Sequence, residues 1–428
     1  MRSIHDIVVA YPGNGLFAQQ VALSLHEADR LHRFVTTLAV NPDANYIHWL
    51  VRFGGSRFSH LLRRRTVGLL PRDKTVTRPW LELVRSAAAA LGASAPVVDR
   101  AWDWMSLDFT GYVARHWVSG SSAIYAYEYT ALEAFERAKK EQLACVLDLP
   151  SLSSQEFEQI QEQERALFPE IQSKHDHYFK AKFEKRQARR DREIVLADVI
   201  MTNSTLTARS HCAQGTDPAK IVTVPLAAPR TISTIRPQQD MTFPLKVIWA
   251  GTFGIGKGAH YFLDAWKMLA ASSHIKVNVY GTVTLPERLL TRAPDNIQFH
   301  GAVAQAELFR QFEQADVLLF PTLSDGFGMV VNEAFAQGLP VITTEWAGAA
   351  DLVRHGENGL IIESGKAEAI HDALQWCLDN REQLQAMRYP ALETAKNWQW
   401  EDYRAVFIDK LEQALEQAGF TFTKGEAV

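Results

Sequence analysis

The 428 residues exceed one ordinary soluble domain of about 100–200 residues and imply two, each able to bury a core of its own. Hydrophobic residues at 47% and charged residues at 22% are globular proportions, and a formal charge of -4 removes any overall electrostatic case for nucleic acid. The three cysteines, Cys145, Cys212 and Cys377, are too widely spaced for a disulfide framework or a zinc site and fit a reducing, cytoplasmic setting. Asp6 interrupts the first apolar run and no apolar run reaches about 18 residues, so neither a secretory leader nor a membrane span is expected.

Apolar runs of strand length alternate with longer helical stretches, the pattern of parallel sheets wrapped by crossover helices. The first system opens with Ile7-Val8-Val9-Ala10, turns at Tyr11-Pro12-Gly13-Asn14-Gly15 and continues as a helix through Val21, Leu23 and Leu25. Residues 46–85 carry Arg52, Arg57, Arg63, Arg64 and Arg65 among Trp49, Phe53 and Phe58. Such a surface suits an anionic bilayer or a lipid-linked acceptor; an insertion packed on the N-terminal sheet suits it as well. Tyr127 and Glu128 end a short apolar run and are candidates to reach a cleft. Cys145-Val146-Leu147-Asp148 reads as a strand, residues 155–195 as one long charged helix, and Asp198-Val199-Ile200-Met201 as a further strand before Asn203-Ser204. His175 and His177 flank Asp176 in that helix and read as surface residues rather than metal ligands. Residues 225–244 are rich in Pro, Ala, Thr and Ser without periodicity and read as a linker. The second system opens with Lys246-Val247-Ile248-Trp249-Ala250, followed by strands around Val277, Leu318 and Val341.

Two glycine-bearing segments of the second system carry the chemistry. Gly251-Thr252-Phe253-Gly254-Ile255-Gly256-Lys257-Gly258 follows a strand and precedes a helix. It nearly fulfils the Walker A pattern, but Gly258 stands where a magnesium-binding hydroxyl is needed, so a P-loop nucleotidase is not expected. Downstream, Asp325-Gly326-Phe327-Gly328 opens a short helix from Met329 that carries Glu333 and stops at Gly338 and Pro340. In an open parallel sheet ligands bind at the carboxyl ends of the strands, so this loop belongs at the crevice. Its glycines admit a close backbone approach, the helix N-terminus favours a diphosphate, and the two carboxylates can each accept from neighbouring hydroxyls.

Asp325, Gly326, Phe327, Gly328 and Glu333 resemble the signature of the family-four retaining glycosyltransferases, in which an acid, Gly-Phe-Gly and a Glu eight positions on form the donor site. Asn203-Ser204, Gly301, the stretch from Gly348 to Asp351, His355-Gly356-Glu357-Asn358-Gly359 and Trp398-Gln399-Trp400-Glu401 are similar to recurrent elements of that family. The resemblance implies an α/β, GT-B architecture: an acceptor-binding Rossmann-like domain over 1–225, a donor-binding one over 245–395, and a crossover helix and tail over 396–428. It implies a nucleotide-diphosphate sugar as substrate, with no further cofactor. Lys257 would serve the donor diphosphate and Glu333 a donor hydroxyl, with Gly251 and Thr252 beside them and Gly13 and Gly15 facing from the other domain. An ordinary strand-to-helix turn fits Gly13 and Gly15 equally. Two departures stand out: Asp325 where the family usually has Glu, and Thr252 where members often carry Arg. They leave a catalytically inactive nucleotide-sugar-binding or partner subunit as the alternative, and an epimerase or coupling enzyme as a third. No Asp-x-Asp motif occurs, so a metal-dependent donor site of the other major glycosyltransferase fold is not expected.

Overall fold

A computed structural model describes residues 2–13, 15–39, 68–172, 175–232, 244–269, 274–290 and 296–422. The strands in chain order are β1 (Arg2–Ile4), β2 (Ile7–Tyr11), β3 (Leu31–Thr36), β4 (Thr75–Thr77), β5 (Ala123–Tyr127), β6 (Ala144–Leu149), β7 (Val199–Thr202) and β8 (Ile221–Thr223). They continue as β9 (Leu245–Ala250), β10 (Ile275–Tyr280), β11 (Ile297–Gly301), β12 (Val317–Phe320), β13 (Val341–Thr344), β14 (Gly359–Ile362) and β15 (Phe420–Phe422). One parallel sheet has the order β4-β3-β2-β5-β6-β7-β8 and a second β11-β10-β9-β12-β13-β14. Central strands are buried on both faces, which is why Ile7 to Ala10 and Val317 to Phe320 are unbroken apolar runs. Strand order reverses between β2 and β5 and again between β9 and β12. Each reversal opens a crevice at the carboxyl edge of its sheet.

The last helix ties the two lobes together. Trp400–Gln417 begins with a capping box in which Gln399 and Asp402 satisfy each other's backbone N–H groups. Its buried Trp400, Tyr403, Phe407, Leu411 and Leu415 recur at helical spacing and join one apolar core shared by both sheets. Arg404 reaches Glu27 at 2.7 Å and Gln20 at 3.0 Å on the first helix, Leu16–Glu27. The chain then pairs β15 in parallel with β1, closing the C-terminus onto the N-terminus.

One expectation changes, and two others fall partly outside the described residues. The helix predicted over 155–195 is two helices, Ser154–Leu167 and Asp176–Leu196, with a 3-10 turn at Pro169–Ile171 between them. Pro169 has no N–H to continue the helix and drives Phe168 out of the helical region, to φ -127 and ψ 77. Within the linker, Leu226, Ala227 and Ala228 are buried, and Trp398 Nε1 donates to the Pro225 carbonyl at 3.1 Å; residues 233–243 lie outside the described residues. Of the basic stretch 46–85, residues 46–67 lie outside the described residues, and the rest supplies edge strand β4 and a helix, Trp80–Ala90.

Under the last helix, Asp148 of β6 is buried and accepts a 2.5 Å hydrogen bond from the Tyr125 hydroxyl. Burial pushes its pKa up to about 7, against the pull of that hydrogen bond. A carboxyl raised in the folded state contributes stability that is complete below its unfolded value of about 4 and is lost as pH rises through about 7. Asp148→Asn is therefore expected to flatten the fall in thermal stability between about pH 4 and pH 7, read by calorimetric unfolding; an unchanged slope would contradict the assignment.

Candidate active site

At the crevice of the second sheet, the chain leaves β9 at Gly251 with φ +119, its N–H donating to the Tyr280 carbonyl at 2.8 Å, and exposes Thr252. A 3-10 turn, Ile255–Lys257, then feeds the helix Ala259–Met268 through Gly258 at φ +74. A Cβ on Gly258 would lie 2.1 Å from the Pro321 carbonyl oxygen. The residue that spoils the Walker pattern is thus fixed by backbone geometry, because no hydroxyl-bearing side chain fits there. Thr322 Oγ1 and the Leu323 N–H both donate to the Gly256 carbonyl at 3.1 Å and hold this loop against the chain leaving β12.

That chain supplies the second half of the site. Lys257 Nζ lies 2.5 Å from Asp325 Oδ2, with both side chains about a quarter exposed, so two of the three charged residues singled out in sequence meet as an ion pair. The other carboxylate oxygen of Asp325 accepts from the Phe327 N–H at 3.2 Å. Phe327 itself is buried in the shared core, so its ring packs beneath the loop and does not line the crevice. Gly328 adopts φ +87 and starts the helix Met329–Ala336, which has no side-chain cap. On this helix Val331, Asn332 and Ala334 to Ala336 are buried while Met329, Val330 and Glu333 form its open side. Gln305 Nε2 donates to Glu333 Oε1 at 2.9 Å. Burial raises the Glu333 pKa and that hydrogen bond draws it back. Such a partly desolvated carboxyl gains from any further hydroxyl donor.

The first sheet meets this site through its carboxyl edge. A Cβ on Gly326 would lie 2.2 Å from the Pro150 carbonyl oxygen, just past β6. Ser204 Oγ, just past β7, donates to the Gly326 carbonyl at 2.7 Å and Thr207 Oγ1 joins it at 3.1 Å. The Thr205 N–H donates to Asp351 at 2.8 Å. Gly13 and Gly15 lie on the same edge, at the end of β2, where Gly15 precedes the first helix and Thr37 Oγ1 donates to the Pro12 carbonyl at 3.1 Å. Tyr127 is 2% exposed and Glu128 pairs with Arg190 at 2.9 Å, so both are absorbed by internal packing rather than offered to the cleft. Among the described residues no group of three or more His, Cys, Asp or Glu is placed to hold a metal.

Sequence reasoning missed two features. The helix Ser154–Leu167 leaves the first sheet and docks on the second lobe: Glu164 Oε2 lies 2.8 Å from His260 Nε2, and Glu164 Oε1 accepts from the Tyr261 hydroxyl at 3.1 Å. Phe168 stands edge-on to both rings, and Ile171 enters the second core. His260 and Tyr261 sit one turn beyond Lys257, so a first-lobe carboxylate holds the helix that carries the glycine loop. Second, His211 is buried with Nε2 3.1 Å from the Ser151 carbonyl, and burial lowers its pKa. Neither lies in a motif; each depends on a contact between residues 60 or more positions apart.

Residues 244–380 match the family described as Glycosyl transferases group 1. A D-inositol 3-phosphate glycosyltransferase of Streptomyces griseus is 32% identical over 121 residues, covering 28% of this chain and 26% of that protein. A GDP-mannose-dependent alpha-(1-6)-phosphatidylinositol monomannoside mannosyltransferase of Mycobacterium tuberculosis is 31% identical over 125 residues, 27% of this chain and 32% of that one. The matches thus span about a quarter to a third of these relatives' length. Across nearly the whole chain, the Anabaena HepE protein in complex with UDP has a similar structure, with a TM-score of 0.59 and 14% identity over 96% of this chain and 100% of that one. Residues 244–380 are thus similar to the Glycosyl transferases group 1 family, and the chain as a whole has the GT-B architecture of two facing Rossmann-like lobes.

Proposed function

We propose that the chain is a retaining glycosyltransferase that moves a sugar from a nucleoside diphosphate sugar to a hydroxyl of a glycan, lipid-linked or small-molecule acceptor. The observation that carries this reading is the meeting of Lys257, Asp325 and the N-terminus of the helix Met329–Ala336 at the strand-order reversal of the second sheet, with Glu333 one turn further on. The donor diphosphate lies across the glycine loop and that helix N-terminus, where backbone N–H groups and the Lys257 ammonium meet its charge. Glu333 accepts from the donor's hydroxyls, which suits a ribose. The names of the relatives support a nucleotide-linked donor: one depends on GDP-mannose, and HepE binds UDP.

In the transfer, the bond from the anomeric carbon to the diphosphate oxygen breaks and that oxygen keeps the electron pair. The acceptor hydroxyl attacks the same face, and its proton passes to the departing phosphate oxygen. This route asks for no protein base, and Asp325 is already engaged by Lys257. Its main lever is preorganised positive charge at the leaving group. The function itself is tested by incubating the purified chain with uridine, guanosine and adenosine diphosphate sugars and scoring nucleoside diphosphate release with and without glycan and lipid acceptors. Release from one donor class is the expected result, and no binding or breakdown of any donor would overturn the reading.

Two substitutions separate the roles. Lys257→Ala removes a leaving-group contact and is expected to lower kcat by about 100- to 1000-fold, and near-normal turnover would refute that role. Glu333→Gln is expected to weaken donor binding by about tenfold, measured as Kd by calorimetry, with a smaller effect on kcat. A donor Kd equal to that of the unmodified chain would remove Glu333 from hydroxyl recognition.

A further inference from the structure

The two carboxylates of the cleft are held in different ways. Asp325 has both oxygens engaged, Oδ2 by the Lys257 ammonium and Oδ1 by the Phe327 N–H. Glu333 has one: Gln305 Nε2 donates to its Oε1, and Oε2 has no partner among the described residues. A carboxylate oxygen left in this state on the open side of its helix is free to accept from a ligand.

No cation shares Glu333 with Gln305. On the elements packed against the helix Met329–Ala336, strands β12 and β13 are uncharged, Arg310 pairs with Glu307, Arg388 donates to the Ala315 carbonyl, and Lys396 pairs with Glu393. Asp351 accepts from the Thr205 N–H, and neither it nor Glu313 moves the titration of Glu333. Burial raises that pKa, and among the described residues the Gln305 amide is the one contact that lowers it. Gln305 is the first residue of the helix Gln305–Gln314, and its side chain makes no cap for that helix. The amide is therefore available for Glu333. Its neutrality matters, because a guanidinium in its place would take both oxygens and cancel the charge, whereas one amide N–H fixes one oxygen and leaves the other charged and open.

We propose that Gln305 is a positioning residue of the donor site: its amide holds Oε1 of Glu333 so that Oε2 is presented to the hydroxyls of the bound nucleotide. Gln305 has this role only if Glu333 receives donor hydroxyls, as proposed above.

A double-mutant cycle read by calorimetry tests it. Kd is measured for whichever of UDP, GDP and ADP the unmodified chain binds most tightly, between about pH 5 and pH 8, with Gln305→Ala, Glu333→Gln and the double variant. Gln305 is exposed and alanine is a strong helix former, so Gln305→Ala is expected to keep the thermal unfolding of the unmodified chain. It is expected to weaken binding by about three- to tenfold. Without the amide, burial acts on Glu333 unopposed and its pKa rises further, so affinity is expected to fall away at a higher pH than in the unmodified chain. In the Glu333→Gln background the same substitution is expected to add nothing. A Kd and pH profile of Gln305→Ala equal to those of the unmodified chain, beside a weakened Glu333→Gln, would overturn the role of Gln305 and leave Glu333 in hydroxyl recognition. An equal loss in both backgrounds would overturn it as well, because the amide would then act on the nucleotide by itself. Unchanged affinity in Glu333→Gln, or no binding of any of the three nucleotides, would instead remove the reading of Glu333 on which the role depends.

Discussion

Gly326 has no room for a side chain, because the carbonyl oxygen of Pro150 from the other lobe occupies the place of its Cβ. Ser204 and Thr207 donate to the Gly326 carbonyl, so one backbone unit of the loop that opens at Asp325 is gripped from two sides by the ends of β6 and β7. The grip sets the two carboxyl edges face to face. Gly13 and Gly15 stand on one of these edges and Lys257 and Asp325 on the other. Within the second lobe Gly258 and Gly328 are likewise confined at positive φ, Gly258 against the Pro321 carbonyl oxygen just past β12 and Gly328 against the ring of Phe320 at its end.

The seam is not the only tie. Glu164 reaches across to His260 and Tyr261, and the last helix threads its aromatic face through the core shared by both sheets. A swing about residues 225–244 alone would strand the buried Glu164 carboxylate without its partners, a costly state in a poorly solvated setting. The chain from Pro150 to Ile171 therefore belongs energetically with the second lobe, although it leaves the first sheet. The glycine loop is accordingly supported from beneath by Glu164.

Legibility in the sequence followed burial. Strands such as β9 and β12 are covered on both faces and show as continuous apolar runs, so both sheets could be placed from sequence. The loop and helix over 325–340 were readable because glycines at forced positions, a helix start and a helix stop fall within sixteen residues. Tyr127 was not, since an aromatic ending an apolar run looks the same whether it faces a cleft or a core. The break at Pro169 was signalled by the proline itself but masked by the charged periodicity on either side. The Glu164 contact joins residues 97 positions apart and left no local trace.

Because the seam at Gly326 is the constraint on which the cleft depends, donor affinity of Gly326→Ala, measured by calorimetry beside the unmodified chain, tests the account most directly. One methyl group placed against the Pro150 carbonyl should force the edges apart and weaken binding of the nucleoside diphosphate sugar by at least about tenfold, while each lobe keeps its cooperative unfolding. An unchanged Kd, with the variant folded, would show that the donor site forms without the seam and would contradict the account.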